Sequence, residues 1–248
     1  MTNLKSIGIV WPGPADPEDI EETEQFLPSD VKVHMVGPNH QGDSNSPGGI
    51  TLEKLLLMPE DPVIEQAAME LIPFEVAAAG YGCTSASYIR GVGGDVDISE
   101  RISAATGLPA TTTSSAAVVA LRHLGVRRVS VLSPHIDELN ERLARFLVDS
   151  GFEVVHMRGL NKLGGIEEIP QNDIRDLVLE LVDRPDSDGI FISCTGMRTS
   201  SIIDSLEKAI GKPVVSAMQA TVWETLRIGG LLNEMVGRGS LYREAVTV

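Results

Sequence analysis

The sequence predicts an α/β protein made of two similar halves, each built on a parallel sheet and related to the other by a pseudo-twofold axis. Three observations carry that expectation. Short β-branched runs alternate with amphipathic stretches along the chain, the pattern of a parallel sheet covered by helices. The second half weakly repeats the first. Aromatic residues make up only 4% of the 248 residues against 42% hydrophobic, so the cores must be built mainly from Val, Ile, Leu and Ala.

Taken in order, the β-branched runs place strands over 7–11, 31–36, 74–80, 109–113, 128–132, 153–157, 189–193 and 213–217. Helices are expected over 20–26, 51–72 (interrupted near Pro59 and Pro62), 98–106, 116–124, 136–150, 172–183, 199–210 and 220–228. Ile136, Leu139, Leu143, Phe146 and Leu147 show the helical spacing most clearly, with charges between them. Gly125, Gly151 and Gly211 stand where C-terminal caps belong. The polar, Gly- and Ser-rich stretch 37–49 reads as a loop long enough for a flap over a site.

The repeat is visible in the residues. Gly107-Leu-Pro109, a short strand and a helix ending at Gly125 match Gly211-Lys-Pro213, a short strand and a helix ending at Gly229. The offset is constant, since 211 − 107 and 229 − 125 are both 104, and it also relates Ala116 to Ala220 and Val118 to Val222. Upstream of each copy an apolar strand runs into a Cys-Thr pair, Cys83-Thr84 in one half and Cys194-Thr195 in the other. The implied division is residues 1–113 plus 218–248 for one α/β unit and 114–217 for the other. Ligands of open α/β sheets bind beyond the carboxyl ends of the strands, so a pseudo-twofold would bring both cysteines to one cleft.

Charge and targeting signals narrow the function. A net charge of −15 argues against nucleic acid and anionic membrane surfaces as partners. No apolar stretch approaches the length of a membrane span, and the N-terminal run has no signal-peptide cleavage pattern, so a cytoplasmic protein with reduced cysteines is expected. A homo-oligomer is expected. No metal-ligand spacing links His34, His40, His123 and His156, and Gly91-Val-Gly-Gly94 does not follow a strand as a dinucleotide loop must, so neither a metal site nor a dinucleotide site is read from them.

Two cysteines at equivalent strand ends suit acid–base or nucleophilic chemistry. A thiolate is a good nucleophile and a workable base, and its pKa falls among backbone N–H donors. Cys83 precedes Thr84, Ser85 and Ser87; Cys194 precedes Thr195 and Gly196, so amides and hydroxyls can gather around each sulfur. Thiols on opposite faces of one substrate can invert a carbon centre, or one can add to a double bond that then rotates. The competing readings are a hydrolase or decarboxylase using Cys194 alone, a non-catalytic solute-binding protein, and cysteines that merely fill the core. His135, after the fifth strand, could hydrogen-bond a substrate carboxylate or act as a cation beside a thiolate; the alternative is an exposed loop residue. Arg90 and Arg198 could clamp a carboxylate or form ordinary ion pairs.

The segments GYGCTSASYIRG, TGLPATTTSSAAVVALRHLGVRRVSVLSP, IDELNERLARFL, PDSDGIFISCTGMRT and GKPVVSAMQATVWETLR resemble the aspartate/glutamate racemase superfamily. Within it they are most similar to the branch of maleate cis–trans isomerases, arylmalonate decarboxylases and the racemase-like proteins of ectoine utilisation. The resemblance implies two Rossmann-like (flavodoxin-like) subdomains with the active site between them, no cofactor, and a small carboxylate substrate. It implies catalytic roles for Cys83 and Cys194, and substrate binding by Thr84, Ser85, Thr195 and Gly196. Decarboxylases of this branch keep only the second cysteine, so Cys83 points to an isomerase or racemase. Two departures weigh against maleate itself: Trp11-Pro-Gly-Pro14 lacks the Asn of maleate isomerases, and His135 stands where these enzymes often have Tyr.

Overall fold

The computed structural model describes residues 5–38, 52–60, 62–162, 164–182 and 186–243. Its first half carries strands β1 (Lys5–Val10), β2 (Val31–Val36), β3 (Ala79–Tyr81) and β4 (Ala110–Thr112). Between them lie helices α1 (Pro17–Glu24), α2 (Leu52–Leu57), α3 (Val63–Met69), α4 (Thr84–Tyr88) and α5 (Gly94–Thr106). Helix α6 (Thr113–His123) leads to the second half, with β5 (Arg128–Ser133), β6 (Glu153–Gly159), β7 (Gly189–Ile192) and β8 (Val214–Ser216). Its helices are α7 (Asp137–Asp149), α8 (Gln171–Val182), α9 (Ile203–Ile210) and α10 (Ala217–Ile228).

Both sheets are parallel and share one order, β2-β1-β3-β4 and β6-β5-β7-β8. The match extends to single residues. Val10, Tyr81 and Thr112 are paired across the first sheet as Leu132, Ile192 and Ser216 are across the second. Thr112 then caps α6 by accepting from the Ser115 amide, and Ser216 caps α10 by accepting from the Gln219 amide. Each cap satisfies an amide that would otherwise be orphaned at a helix start. The two-halved parallel architecture is therefore the one the repeat implied.

Helices α6 and α10 pack on each other and join the halves; α10 also packs on β3 and β4, and α6 on β8. Buried Ala116, Ala117, Ala120, Ala217 and Ala220 let the backbones approach closely. A hydrogen bond of 2.9 Å from Thr221 to Thr113 crosses between them.

Several boundaries differ from expectation. The run 74–80 is not one strand: Ile72–Phe74 is a 3-10 turn, Glu75 takes a left-handed φ of 50°, and extension begins at Ala79. Phe74 instead stacks on the His34 ring at 4.1 Å. Helix α5 starts at Gly94, ahead of 98, and α9 starts at Ile203 because the amides at 199 and 200 are bound by the Glu22 carboxylate. Helix α4 was not expected, since TSASY carries no apolar period. Beyond Gly37 and Pro38, the proposed flap 37–49 lies outside the described residues.

Candidate active site

Each cysteine lies two residues past the end of the corresponding central strand, Cys83 after β3 and Cys194 after β7. The loops they begin touch. The Thr195 hydroxyl donates to the Gly82 carbonyl at 3.0 Å, tying the Cys194 loop to the residue before Cys83. The Cys83 loop is anchored from its own side. The Ser87 hydroxyl lies 2.8 Å from the carbonyls of both Cys83 and Thr84, its one hydrogen serving the two, and Thr113 donates to the Tyr81 carbonyl at 3.0 Å. Ser114, on α6, meets Ser87 at 2.7 Å.

Cys194 has a φ of +84°, a left-handed backbone that only glycine adopts without strain. For a residue with a Cβ this costs of order 1–3 kcal/mol. The turn aims the amides of Gly196 and Met197 at the Cys194 sulfur, and the amides of Ser85 and Ala86 likewise face the Cys83 sulfur, which also lies 3.8 Å from Ser85 Oγ. These donors favour the thiolates, but burial is the larger effect at both. It pushes the Cys83 thiol above its usual range and the Cys194 thiol up to about 12. The expectation of low-pKa thiols is therefore corrected: in the unliganded site both are protonated at neutral pH, because desolvation outweighs the amides.

The thiols also act on one another. A charge on Cys83 further raises Cys194, and the Glu167 carboxylate adds to this. A charge on one sulfur therefore opposes a charge on the other, which favours one thiolate beside one thiol, the arrangement of a base and an acid. The reactive fraction of a thiol grows tenfold per pH unit below its pKa. Alkylation of Cys194 by iodoacetamide is accordingly expected to rise about tenfold per unit from pH 7 to 10, and that of Cys83 to keep rising through pH 8. A plateau below pH 8 in mass-spectrometric labelling rates would contradict this.

Of the other candidate residues, Thr84 and Ser85 are buried in the first turn of α4, and Thr195 is buried beside Gly196. His135 is 2% exposed, which removes the exposed-loop alternative. Burial lowers its pKa to about 4, so it is neutral at physiological pH and does not serve as a cation beside a thiolate. Its carbonyl accepts from Asn140 and Asn161, while its Nε2 is buried without a partner among the described residues. Arg198 pairs with Glu18 and Asp16, and Arg90 with Glu60, so both take the ion-pair role. Among the described residues no group of three His, Cys, Asp or Glu is placed to hold a metal, and no helix is long and apolar enough to cross a membrane.

Two residues of the site were not singled out from the sequence. Glu22 on α1 is buried and bonds the Thr199 and Ser200 amides at 2.7 and 2.9 Å and the Ser200 hydroxyl at 2.6 Å, holding the loop after Cys194 from the other half. Nothing local marks it, since the contact spans 177 positions. Tyr88 lies four residues after Thr84, one turn along α4, and both hydroxyls are buried without partners among the described residues. No signal in the sequence marked the pair, because TSASY carries no apolar period that would announce a helix.

The family model for arylmalonate decarboxylase matches residues 49–242. The chain is 39% identical over 168 residues to an arylmalonate decarboxylase of Bordetella bronchiseptica, covering 65% of this chain and 69% of that protein. It is 28% identical over 204 residues to a maleate isomerase of Pseudomonas putida, covering 77% and 79% respectively. Among solved structures, a liganded arylmalonate decarboxylase with one glycine changed to cysteine and one cysteine to serine superposes with a TM-score of 0.84 at 31% identity, over 97% of this chain and 100% of that one.

Proposed function

This chain belongs to the arylmalonate decarboxylase family, and on that footing we propose that it is a cofactor-independent isomerase that works on a small carboxylate with Cys83 and Cys194. The observation that carries the reading is the pair itself: two thiols at equivalent strand ends, their loops joined through the Thr195–Gly82 bond, with a charge on Cys83 opposing a charge on Cys194. A single-thiol decarboxylase has no use for the first of them.

The pair supports two courses. In racemisation, one thiolate removes the proton α to the carboxylate while the opposite thiol delivers a proton to the other face. The carbon is inverted and the two sulfurs exchange protonation states. In cis–trans isomerisation, a thiolate adds to one alkene carbon. The electron pair moves onto the neighbouring carbon and its carboxylate, the former double bond rotates, and the thiolate is expelled. In both, negative charge builds on a carboxylate. We assign its stabilisation to Thr84 and Ser85, to Thr195 and the Gly196 amide, and to neutral His135 as a hydrogen-bonding partner. The acidic balance and two free cysteines support a cytoplasmic setting.

The decarboxylase of Bordetella bronchiseptica supports a second reading, in which a C–C bond breaks, carbon dioxide leaves, and the Cys194 thiol protonates the remaining carbanion. Proton NMR in deuterium oxide separates the courses. The enzyme is incubated with maleate, with phenylmalonate, and with single enantiomers of α-amino and α-hydroxy acids, including amino acids derived from ectoine. Deuterium entering with inversion, or fumarate formed from maleate, is the expected result. Phenylacetate from phenylmalonate, undiminished in Cys83→Ser, would overturn the two-thiol isomerase.

A further inference from the structure

Tyr88 is 1% exposed and its hydroxyl has no hydrogen-bond partner among the described residues. A buried polar group left unpaired is costly, and native proteins seldom keep one without a use. The ring has little freedom to turn outward. Helix α4 packs on α2, α5, α6 and α7; Ser87 is bound to Ser114, and Arg142 of α7 donates to the Ile89 carbonyl at 3.5 Å.

Tyr88 stands on the short helix that Cys83 caps, one turn from its start. A charge on either Cys194 or Cys83 opposes ionisation of this phenol, so both lie within electrostatic reach, yet Tyr88 hydrogen-bonds neither. A group bonded to it therefore lies within the same reach of both thiols. Burial keeps the phenol protonated far above neutral pH, so it is a donor at every working pH. Thr84, one helical turn back, adds a second buried and unpaired hydroxyl. We propose that the Tyr88 hydroxyl, with Thr84, donates to a carboxylate oxygen of the substrate lying between Cys83 and Cys194, and so selects substrates that present a carboxylate to both sulfurs. This rests on the reading that the two thiols flank the substrate.

The test uses two alkylating agents of similar size, anionic iodoacetate and neutral iodoacetamide, on the whole protein at pH 9. Labelling of each cysteine is followed by mass spectrometry. A hydrogen bond to a charged group corresponds to roughly 10- to 100-fold. Tyr88→Phe is therefore expected to slow iodoacetate about 10-fold or more at one or both cysteines while leaving iodoacetamide within about twofold. Its melting temperature should be unchanged or higher, because the deleted hydroxyl satisfies nothing in the unliganded protein. Equal slowing of both agents would make Tyr88 a structural support for the thiols and overturn the proposal, as would no change in either. Because no turnover is read, an iodoacetate-specific loss stands even if maleate, phenylmalonate and the amino acids all prove not to be substrates. That failure would fall on the proposed reaction alone.

Discussion

Cys194→Ser and Cys83→Ser should each lower turnover by about 10²–10⁴-fold or more, with the folded structure kept. The change is nearly isosteric. Yet a serine hydroxyl is a far weaker acid than a thiol, and the site already raises both thiols by burial. Neither serine would ionise there, so neither base nor nucleophile remains on that face. The effects should not add. If each thiol does half of one proton exchange or one addition, either single change already stops the cycle, and the double variant should be little slower than the worse single one. The pair also discriminates between the readings. Full loss in both supports two-thiol isomerisation. Loss in Cys194→Ser with wild-type rates in Cys83→Ser would reduce the mechanism to Cys194 alone. Steady-state rates on whichever carboxylate the NMR screen identifies, with circular dichroism to confirm folding, decide it.

Glu22→Ala is expected to give the largest loss of stability, about 3 kcal/mol. The carboxylate accepts from two amides and a hydroxyl in a buried site, and alanine leaves all three donors unpaired. For a chain of this length that corresponds to a fall in melting temperature of roughly 6–12 °C. Glu22→Gln keeps an oxygen for the two amides and can donate to the Ser200 hydroxyl, so it should cost only about 1 kcal/mol. A scanning-calorimetry shift below about 2 °C for Glu22→Ala would show that water replaces the carboxylate and that α1 does not hold the Cys194 loop.

Much of the fold was legible because its signals are local. Gly125, Gly151 and Gly211 mark helix ends through their own left-handed φ, and the 104-residue offset that relates Gly107 to Gly211 reappears between the capping residues Thr112 and Ser216. Where local signals conflicted, boundaries moved. Pro73 and Glu75 interrupt a run whose apolar content reads as a strand, and TSASY forms a helical turn without any apolar period. The equivalent placement of Cys83 and Cys194 was readable for the same reason, being a property of each strand end taken alone.

The amino-acid order by itself determined that two parallel-sheet units repeat and that each carries a thiol just beyond its third strand. Alternation, caps and repeats act over a few residues and survive in a linear text. Tertiary structure alone decided the state of those thiols. Amides that should lower their pKa are present as the sequence suggested, but desolvation depends on everything packed around them and outweighs the amides. It likewise decided that His135 is neutral, that Glu22 grips a loop 177 residues away, and that the Tyr88 hydroxyl is buried within reach of both sulfurs. Burial and long-range pairing are sums over distant neighbours, and no window of sequence contains them.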